Sequence, residues 1–283
     1  MRWALVVPVK RLATAKSRLV VDDAVRQELA LAFALDTVSA AREAPSVELV
    51  VAVTDDPRAA AALRELGVDV EPDRPDGGLN PALRHGAEVV ALAHPGLGVG
   101  ALSADLPALR ADELERALAA GAGAKAAMVS DRSGLGTTLL VARGLDAFVP
   151  RFGQRSRAAH RAAGVVEPDL GASVATLRTD VDTEVDLWDA VRLGIGIASA
   201  PLLADGSASS RAMTETVATV RGHDVVARTG TVLLDDGTLL AYDAAAFDAG
   251  GLRLLRPGQR VRIRLDVERG AILALTLSTF DLP

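Results

Sequence analysis

Two of the three lysines in this 283-residue chain, Lys10 and Lys16, fall within seven positions of each other, and they bracket Arg11. The other 28 of its 31 basic residues are arginine, so lysine here is rare and clustered. The segment Pro8-Val9-Lys10-Arg11-Leu12-Ala13-Thr14-Ala15-Lys16-Ser17-Arg18-Leu19 follows an apolar run at the chain start. A strand end that opens into a cationic loop can hold a polyphosphate by charge and by backbone N–H groups. Lysine is a compact point charge, suited to phosphate oxygens whose charge grows during transfer. A solvated basic loop has the same spacing; the scarcity of lysine elsewhere favours the phosphate reading. Carboxylates form a second group. Asp105, in Ser103-Ala104-Asp105-Leu106-Pro107, follows a buried apolar run. That place suits Mg²⁺, which keeps waters and takes one or two carboxylates plus phosphate oxygens; it also suits a turn or a helix cap. Asp180-Val181-Asp182-Thr183-Glu184-Val185-Asp186 is a further acidic cluster. Asp182 or Thr183 can cap the helix that follows, with Asp186 in its first turn, or Asp182 can pair with Asp105 to hold a metal across a crevice.

These groups need strands and helices to bring them together. Residues 4–9 form a short, valine-rich apolar run, read as a buried strand. Asp22 or Asp23 caps a periodic helix over about 24–42. Strands are predicted at 47–53, 68–70, 98–103, 126–129 and 137–142, with helices at 57–66 (Pro57 in its first turn), 80–93, 112–120 and 184–193. Such alternation reads as βαβ units and a mainly parallel sheet. Ligands of these sheets bind beyond the carboxyl ends of the strands. Lys10 to Arg18, Thr54 to Asp56, and Asp105 all sit at predicted strand ends, so they are expected to converge on one crevice.

Composition excludes several classes. Hydrophobic residues make up 49% and charged residues 24%, the balance of a globular chain. There is no cysteine, hence no disulfide framework and no thiolate chemistry. Four histidines, His85, His94, His160 and His223, make a zinc cluster an unpromising reading, and His85 and His160 read as structural residues on helices. The net charge of −6 disfavours a generally basic nucleic-acid binder. No apolar run reaches the ~18 residues of a spanning helix. The run from Trp3 to Val9 is too short for a signal segment, holds Pro8 and meets Lys10 and Arg11 at once. A cytoplasmic protein is expected.

The character of the chain changes after residue 198. Residues 199–213 are rich in Ser, Ala, Gly and Pro and read as a linker. Five short strand-like runs follow, at 216–220, 229–234, 239–242, 261–267 and 272–277, with turn residues between them. The expected organisation is one α/β domain over 1–198, a linker over 199–213 and a small all-β barrel over 214–283.

Residues 1 to about 196 resemble the CofC/FbiD guanylyltransferases of coenzyme F420 biosynthesis. The resemblance rests on Trp3-Ala4-Leu5-Val6-Val7-Pro8-Val9-Lys10 with Ala15-Lys16-Ser17-Arg18-Leu19, on Thr54-Asp55-Asp56 and on Gly78-Leu79-Asn80. It continues through Ser103-Ala104-Asp105-Leu106-Pro107, Gly134-Leu135-Gly136-Thr137-Thr138-Leu139, Arg151-Phe152-Gly153 with Ser156, and Asp180-Val181-Asp182-Thr183. It implies a GT-A-like, Rossmann-like nucleotidyltransferase fold, with the Lys10–Arg18 segment in place of the glycine-rich loop usual in related enzymes. It implies transfer of GMP from GTP to a phosphorylated carboxylic acid: phosphoenolpyruvate in the actinobacterial branch, to which the Ala- and Arg-rich composition points, or 2-phospho-L-lactate or 3-phosphoglycerate in others. The product would be enolpyruvoyl-2-diphospho-5'-guanosine, passed to the next enzyme of F420 biosynthesis. Mg²⁺ is implied on Asp105 and Asp182, with Lys10, Arg11 and Lys16 on the triphosphate; Lys10, Lys16 and Asp105 are the implied catalytic residues. Asn80 is the candidate for reading guanosine. Thr138, Gly153 and Ser156 would bind phosphoenolpyruvate, although Thr137-Thr138 also suit a plain strand and Gly153 a plain turn. Arg155 and Arg157 beside Ser156 could attract the acid or simply line a solvated helix face.

Two other readings compete. Transfer to a sugar phosphate or pterin is argued against by the missing glycine-rich loop and by Arg151-Phe152-Gly153 with Ser156. A nucleic-acid or partner-binding module is the alternative without catalysis, because residues 214–283 resemble a cold-shock, OB-type barrel around Ala246-Phe247-Asp248-Ala249-Gly250-Gly251-Leu252. Cold-shock barrels stack bases on aromatic platforms. The equivalent strands here carry only Tyr242, and from Thr214 onward eight arginines face nine acids. No nucleic-acid partner is expected; a homo-oligomer is compatible with the exposed strand edges of a small barrel.

Overall fold

Trp3–Pro8 is apolar at every position, and in the computed structural model it forms an inner strand of a six-stranded sheet. The structure describes residues 1–16, 19, 22–75, 77–204, 213–235, 237–252, 254–266 and 271–279. Ser17 and Arg18 of the cationic segment, and 205–212 of the expected linker, lie outside the described residues. The chain divides into two compact units, Met1–Ser207 and Ala208–Pro283.

The first unit runs β1 (Trp3–Pro8), α1 (Asp23–Glu43), β2 (Val47–Val53), α2 (Pro57–Glu65), β3 (Asp69–Glu71), α3 (Leu79–Ala93) and β4 (Gly98–Leu102). It continues with α4 (Ala111–Gly121), β5 (Ala126–Ser130), β6 (Thr137–Ala142), α5 (Ser156–Ala162), α6 (Ala175–Arg178), α7 (Glu184–Leu193) and α8 (Ala200–Ala204). The strand order is β3-β2-β1-β4-β6-β5. β1 pairs in parallel with β2 and β4, and β2 with β3. β6 pairs antiparallel with both β4 and β5, so it alone runs against the other five. The carboxyl ends of β1, β2, β4 and β5 and the first residues of β6 therefore share one edge.

Strand alternation splits the core in two. Leu5, Val7, Val50, Leu139 and Val141 face a layer that includes Leu31, Val38, Leu114 and Leu177 from the helices. Ala4, Val6, Val51, Val53 and Leu140 face Leu83, Ala87 and Val90 of α3. Gly86 lets α3 lie close to the sheet, since a Cβ there would stand 2.7 Å from Val6 Cγ1 and 2.9 Å from Val53 Cγ2. Asp22 caps α1, accepting from Ala24 N at 2.8 Å. The short α6 and α8 were not legible as periodic runs, and α8 occupies the start of the stretch expected to be linker.

The second unit is an all-antiparallel curled sheet, a half-barrel of order β11-β10-β7-β8-β9. Its strands are β7 (Met213–Asp224), β8 (Thr229–Leu234), β9 (Leu239–Tyr242), β10 (Arg260–Asp266) and β11 (Ala271–Leu277). β7 is longer than the 216–220 run expected. A helix, α9 (Ala244–Ala249), stands where none was expected, capped by Asp243 on Ala246 N at 2.8 Å; six residues are too few for a helical period to show. Tyr242 and Phe247 are buried in the core of this unit, and the Tyr242 hydroxyl lies 2.9 Å from His223 Nδ1. Among the described residues no helix is long and apolar enough to cross a membrane.

Candidate active site

The cationic loop is tied at its start to β2 and to the cap of α2. Val9 N donates to Val53 O at 2.9 Å, and Leu12 N to Asp56 Oδ2 at 2.9 Å. Asp56 also caps α2 through Oδ1, which accepts from Arg58 N and Ala59 N, each at 3.0 Å. Burial alone would raise this carboxyl; the N–H groups of Ala59, Leu12 and Arg58 outweigh it and hold the pKa below the usual value. A short 3-10 turn, Leu12–Thr14, carries the chain to Lys16, whose backbone takes the left-handed region at φ 55°. A non-glycine residue is uncommon there.

That turn aims the Lys16 ammonium at two carboxylates. Nζ bonds Asp105 Oδ2 and, at 3.0 Å, Asp182 Oδ1, and the lysine side chain is only 10% exposed. Burial works against its charge, but Asp105 and Asp182 overcome that and keep its pKa above the ordinary value. Local bonds remove the helix-cap reading of both acids. Thr183, not Asp182, caps α7: its Oγ1 accepts from Asp186 N at 3.4 Å, while Asp186 Oδ2 accepts from Thr183 N at 2.8 Å. α4 starts at Ala111 with Arg110 at its cap position, so Asp105 is no helix cap either. Lys10, Lys16, Asp105 and Asp182 line one cavity of about 170 Å³, floored by Pro8, Leu12, Ala34 and Ser103.

Asp180, two residues before Asp182 in the acidic cluster, joins this group. Burial first, then the carboxylates of Asp105, Asp131 and Asp182, push its pKa up to about 7. The cluster thus holds more negative charge than Lys16 offsets. Oxygen donors with surplus charge at a strand edge fit a hard divalent cation such as Mg²⁺. Among the described residues no three His, Asp or Glu side chains form a closed metal cage. One or two of these carboxylates could hold a cation only with substrate oxygens and water completing its shell.

The expected acid-binding residues gather around β6. Thr138 is fully buried and its Oγ1 has no hydrogen-bond partner, while its carbonyl accepts from Ser103 N at 2.8 Å, two residues before Asp105. Gly153 is exposed at φ 129°, with nothing within 4 Å of the place a Cβ would take. Ser156 opens α5 and is 2% exposed; its hydroxyl donates to Thr137 Oγ1 at 3.2 Å. A bond from Ser156 to an acid requires that hydrogen to turn away from Thr137. His160 braces the same loop. Its Nε2 accepts from Arg151 N at 2.9 Å, which leaves the ring proton on Nδ1, 3.0 Å from Thr137 Oγ1. Burial, with Arg151 nearby, lowers His160 to about 4, so the ring is neutral.

Asn80, Arg11 and Arg157 do not line the cavity that Lys10 and Lys16 share. Asn80 lines a neighbouring cavity of about 620 Å³, and its amide is engaged on the backbone of Phe152, donating to O at 3.0 Å and accepting from N at 2.7 Å. It fixes the 149–153 loop. Arg11 is exposed and stands 3.7 Å from Asp55. Arg157 pairs with Glu167 at 2.9 Å, so it is neither a free cation nor a plain solvated one.

The chain has known relatives in sequence and in fold. A family model described as "Guanylyl transferase CofC like" matches residues 3–202. The phosphoenolpyruvate guanylyltransferase of Streptomyces coelicolor is 53% identical over 206 residues, covering 72% of this chain and 97% of that protein. Its counterpart in Thermomonospora curvata is 53% identical over 203 residues, covering 71% and 89%. Among solved structures, a candidate nucleotide-diphospho-sugar transferase from Desulfovibrio desulfuricans G20 superposes with a TM-score of 0.55 at 20% identity, covering 74% of this chain and 96% of that one, a likeness of fold alone. The match to the family model spans nearly the whole first unit and every residue of the Lys16–Asp105–Asp182 cluster: the chain belongs to the CofC-like guanylyl transferase family.

Proposed function

We propose that this protein transfers GMP from GTP to phosphoenolpyruvate, releasing pyrophosphate, in coenzyme F420 biosynthesis. The observation that carries the reading is the convergence of Lys16, Asp105 and Asp182 at the sheet edge, in a chain 53% identical to enzymes named for that reaction. The acceptor's phosphate oxygen attacks the α-phosphorus of GTP, a new P–O bond forms, and the bond to the β-bridging oxygen breaks. Such a step depends on positioning and charge neutralisation. Mg²⁺, held by Asp105 and Asp182 with Asp180 beside them, would supply Lewis-acid polarisation of phosphate oxygens. Lys10, Lys16 and Arg11 offset the triphosphate charge from the loop side. Thr138 would give its unpartnered, buried hydroxyl to the acid once the end of β6 opens to it, Gly153 offers its backbone where no side chain intrudes, and Ser156 turns its hydroxyl from Thr137 to the acid. Asn80 serves the nucleotide by fixing the loop at Phe152. All of this lies before residue 199, so chemistry is assigned to the first domain.

The test is pyrophosphate release from GTP and Mg²⁺ with each of phosphoenolpyruvate, 2-phospho-L-lactate and 3-phosphoglycerate. Release with phosphoenolpyruvate well above the other two is expected. Preference for either other acid would move the specificity, and no release with any of the three would refute guanylyl transfer to this class of acceptor.

A further inference from the structure

Arg26 lies in the first turn of α1, yet it is 7% exposed. Its guanidinium does not point to solvent. Nη1 donates to the carbonyl of Ala15, and Nη2 donates to the carbonyl of Ala13 at 3.2 Å and to Asp23 Oδ1 at 2.8 Å. Ala13 and Ala15 are the residues that lead into Lys16. Their carbonyls are tied from below by one planar group, at the point where the chain enters the left-handed turn at Lys16. The turn's other side is fixed by Leu19, whose N–H donates to Lys16 O at 2.9 Å and whose side chain is buried beside Leu29 and Phe33 of α1.

We infer that Arg26 is a positioning residue for guanylyl transfer: it clamps the Ala13 and Ala15 carbonyls so that Lys16 is held in the bend that aims its ammonium at Asp105 and Asp182. The inference rests on the function proposed above for Lys16. A fork of N–H groups reaches two carbonyls and a carboxylate at once; a lysine in the same place offers a single nitrogen and cannot span all three. Without the clamp, a non-glycine residue at φ 55° has little reason to keep that conformation. Arg26 itself has no contact with the cavity that Lys16 lines.

The chain's three lysines give a direct readout. In competitive acetylation followed by peptide mass spectrometry, Lys16 is buried and doubly paired, whereas Lys10 and Lys125 are exposed and serve as internal standards. In the wild type, Lys16 is expected to react at least about tenfold more slowly than Lys125. In Arg26→Gln it should approach the Lys125 rate, with Lys125 itself unchanged. Turnover with GTP should fall at least about tenfold at saturating substrate. Arg26→Lys, which keeps the charge, should behave like Arg26→Gln and carries the test if the glutamine variant does not fold. Continued protection of Lys16 in either folded variant overturns the inference, as does wild-type turnover in either. Unfolding of both would assign Arg26 to the core and overturn it as well. If the wild type releases no pyrophosphate at all, the proposed reaction fails, while the acetylation ratio still decides whether Arg26 positions Lys16.

Discussion

Val181 donates its backbone N–H to the carbonyl of Asp105 at 3.0 Å, and this bond makes neighbours of carboxylates 77 positions apart in the chain. It sets Asp180 and Asp182 on either side of a residue anchored at the end of β4. Val181 is fully buried, so the register of this segment is fixed by packing as well as by the bond. Thr183 then takes over the capping of α7, and the Asp182 carboxylate turns to Lys16.

Asp105→Asn and Asp182→Asn keep side-chain shape and remove a charge that a cation requires. Each should fold normally by circular dichroism and lose turnover by about 10²-fold or more. Near-normal pyrophosphate release from purified Asp105→Asn would remove it from the metal site. If Asp180→Asn loses as much as Asp105→Asn while Asp182→Asn does not, Asp180 is the second ligand.

The same cluster predicts a pH dependence of stability. Burial, followed by Asp105, Asp131 and Asp182, raises Asp180 to about 7 in the folded protein. Between the ordinary carboxyl pKa and about 7, the folded state holds a proton that the unfolded state has released. The stability linked to Asp180 is therefore full below the ordinary pKa and is lost as pH rises through about 7. In metal-free buffer, the melting temperature of the wild type should fall from about pH 5 to about pH 8 more steeply than that of Asp180→Asn. Parallel curves would mean that Asp180 is not perturbed.

The sheet was legible because its strands are buried runs: Trp3–Pro8, Val47–Val53 and Gly98–Leu102 have no period to confuse with a surface helix. The acidic and cationic partners were legible because strand ends of an α/β sheet share an edge. What stayed hidden was set by single hydrogen bonds. Asp182 and Thr183 are both good caps, and only three-dimensional geometry shows which one is spent on α7. An arginine near a helix start reads as a solvated residue, so nothing in the sequence marks Arg26 as buried under the Lys16 loop. Asn80 follows Gly78-Leu79 as the resemblance requires, yet its amide is used on Phe152.

In the proposed reaction Ser156 serves the acid and not the triphosphate. Its hydroxyl sits in a closed set with Thr137 and neutral His160, next to the Gly153 turn. Ser156→Ala deletes one hydrogen bond to the acid and leaves the triphosphate side untouched. The KM for phosphoenolpyruvate should rise by about tenfold, with the KM for GTP little changed. An equal rise for both would place Ser156 outside the acid pocket.

The last prediction concerns where the enzyme ends. The Streptomyces coelicolor relative is matched over 97% of its length by 206 residues, and the family match stops at residue 202. A variant ending at Ser207, the boundary of the first compact unit, should fold and keep pyrophosphate release within about threefold of the full chain. The cut cannot be moved far upstream. Asp36 on α1 accepts from Ala198 N at 2.8 Å and from Ser199 N at 2.9 Å, and a Cβ on Gly196 would collide with that same carboxylate. Leu202 and Leu203 of α8 then pack against the buried cluster of Leu19, Leu29 and Phe33. Leu19 is the anchor of the Lys16 loop, so ending the chain at Gly194 strips both the partners of a buried carboxylate and the cover of that anchor. Removing hydrogen-bond donors from a buried carboxylate leaves its charge uncompensated. This shorter variant should melt several degrees lower than the one ending at Ser207 and lose most of its turnover. Full activity in the shorter variant would refute the role given to residues 195–204, and an inactive but well-folded protein ending at Ser207 would assign part of the active site to residues 208–283.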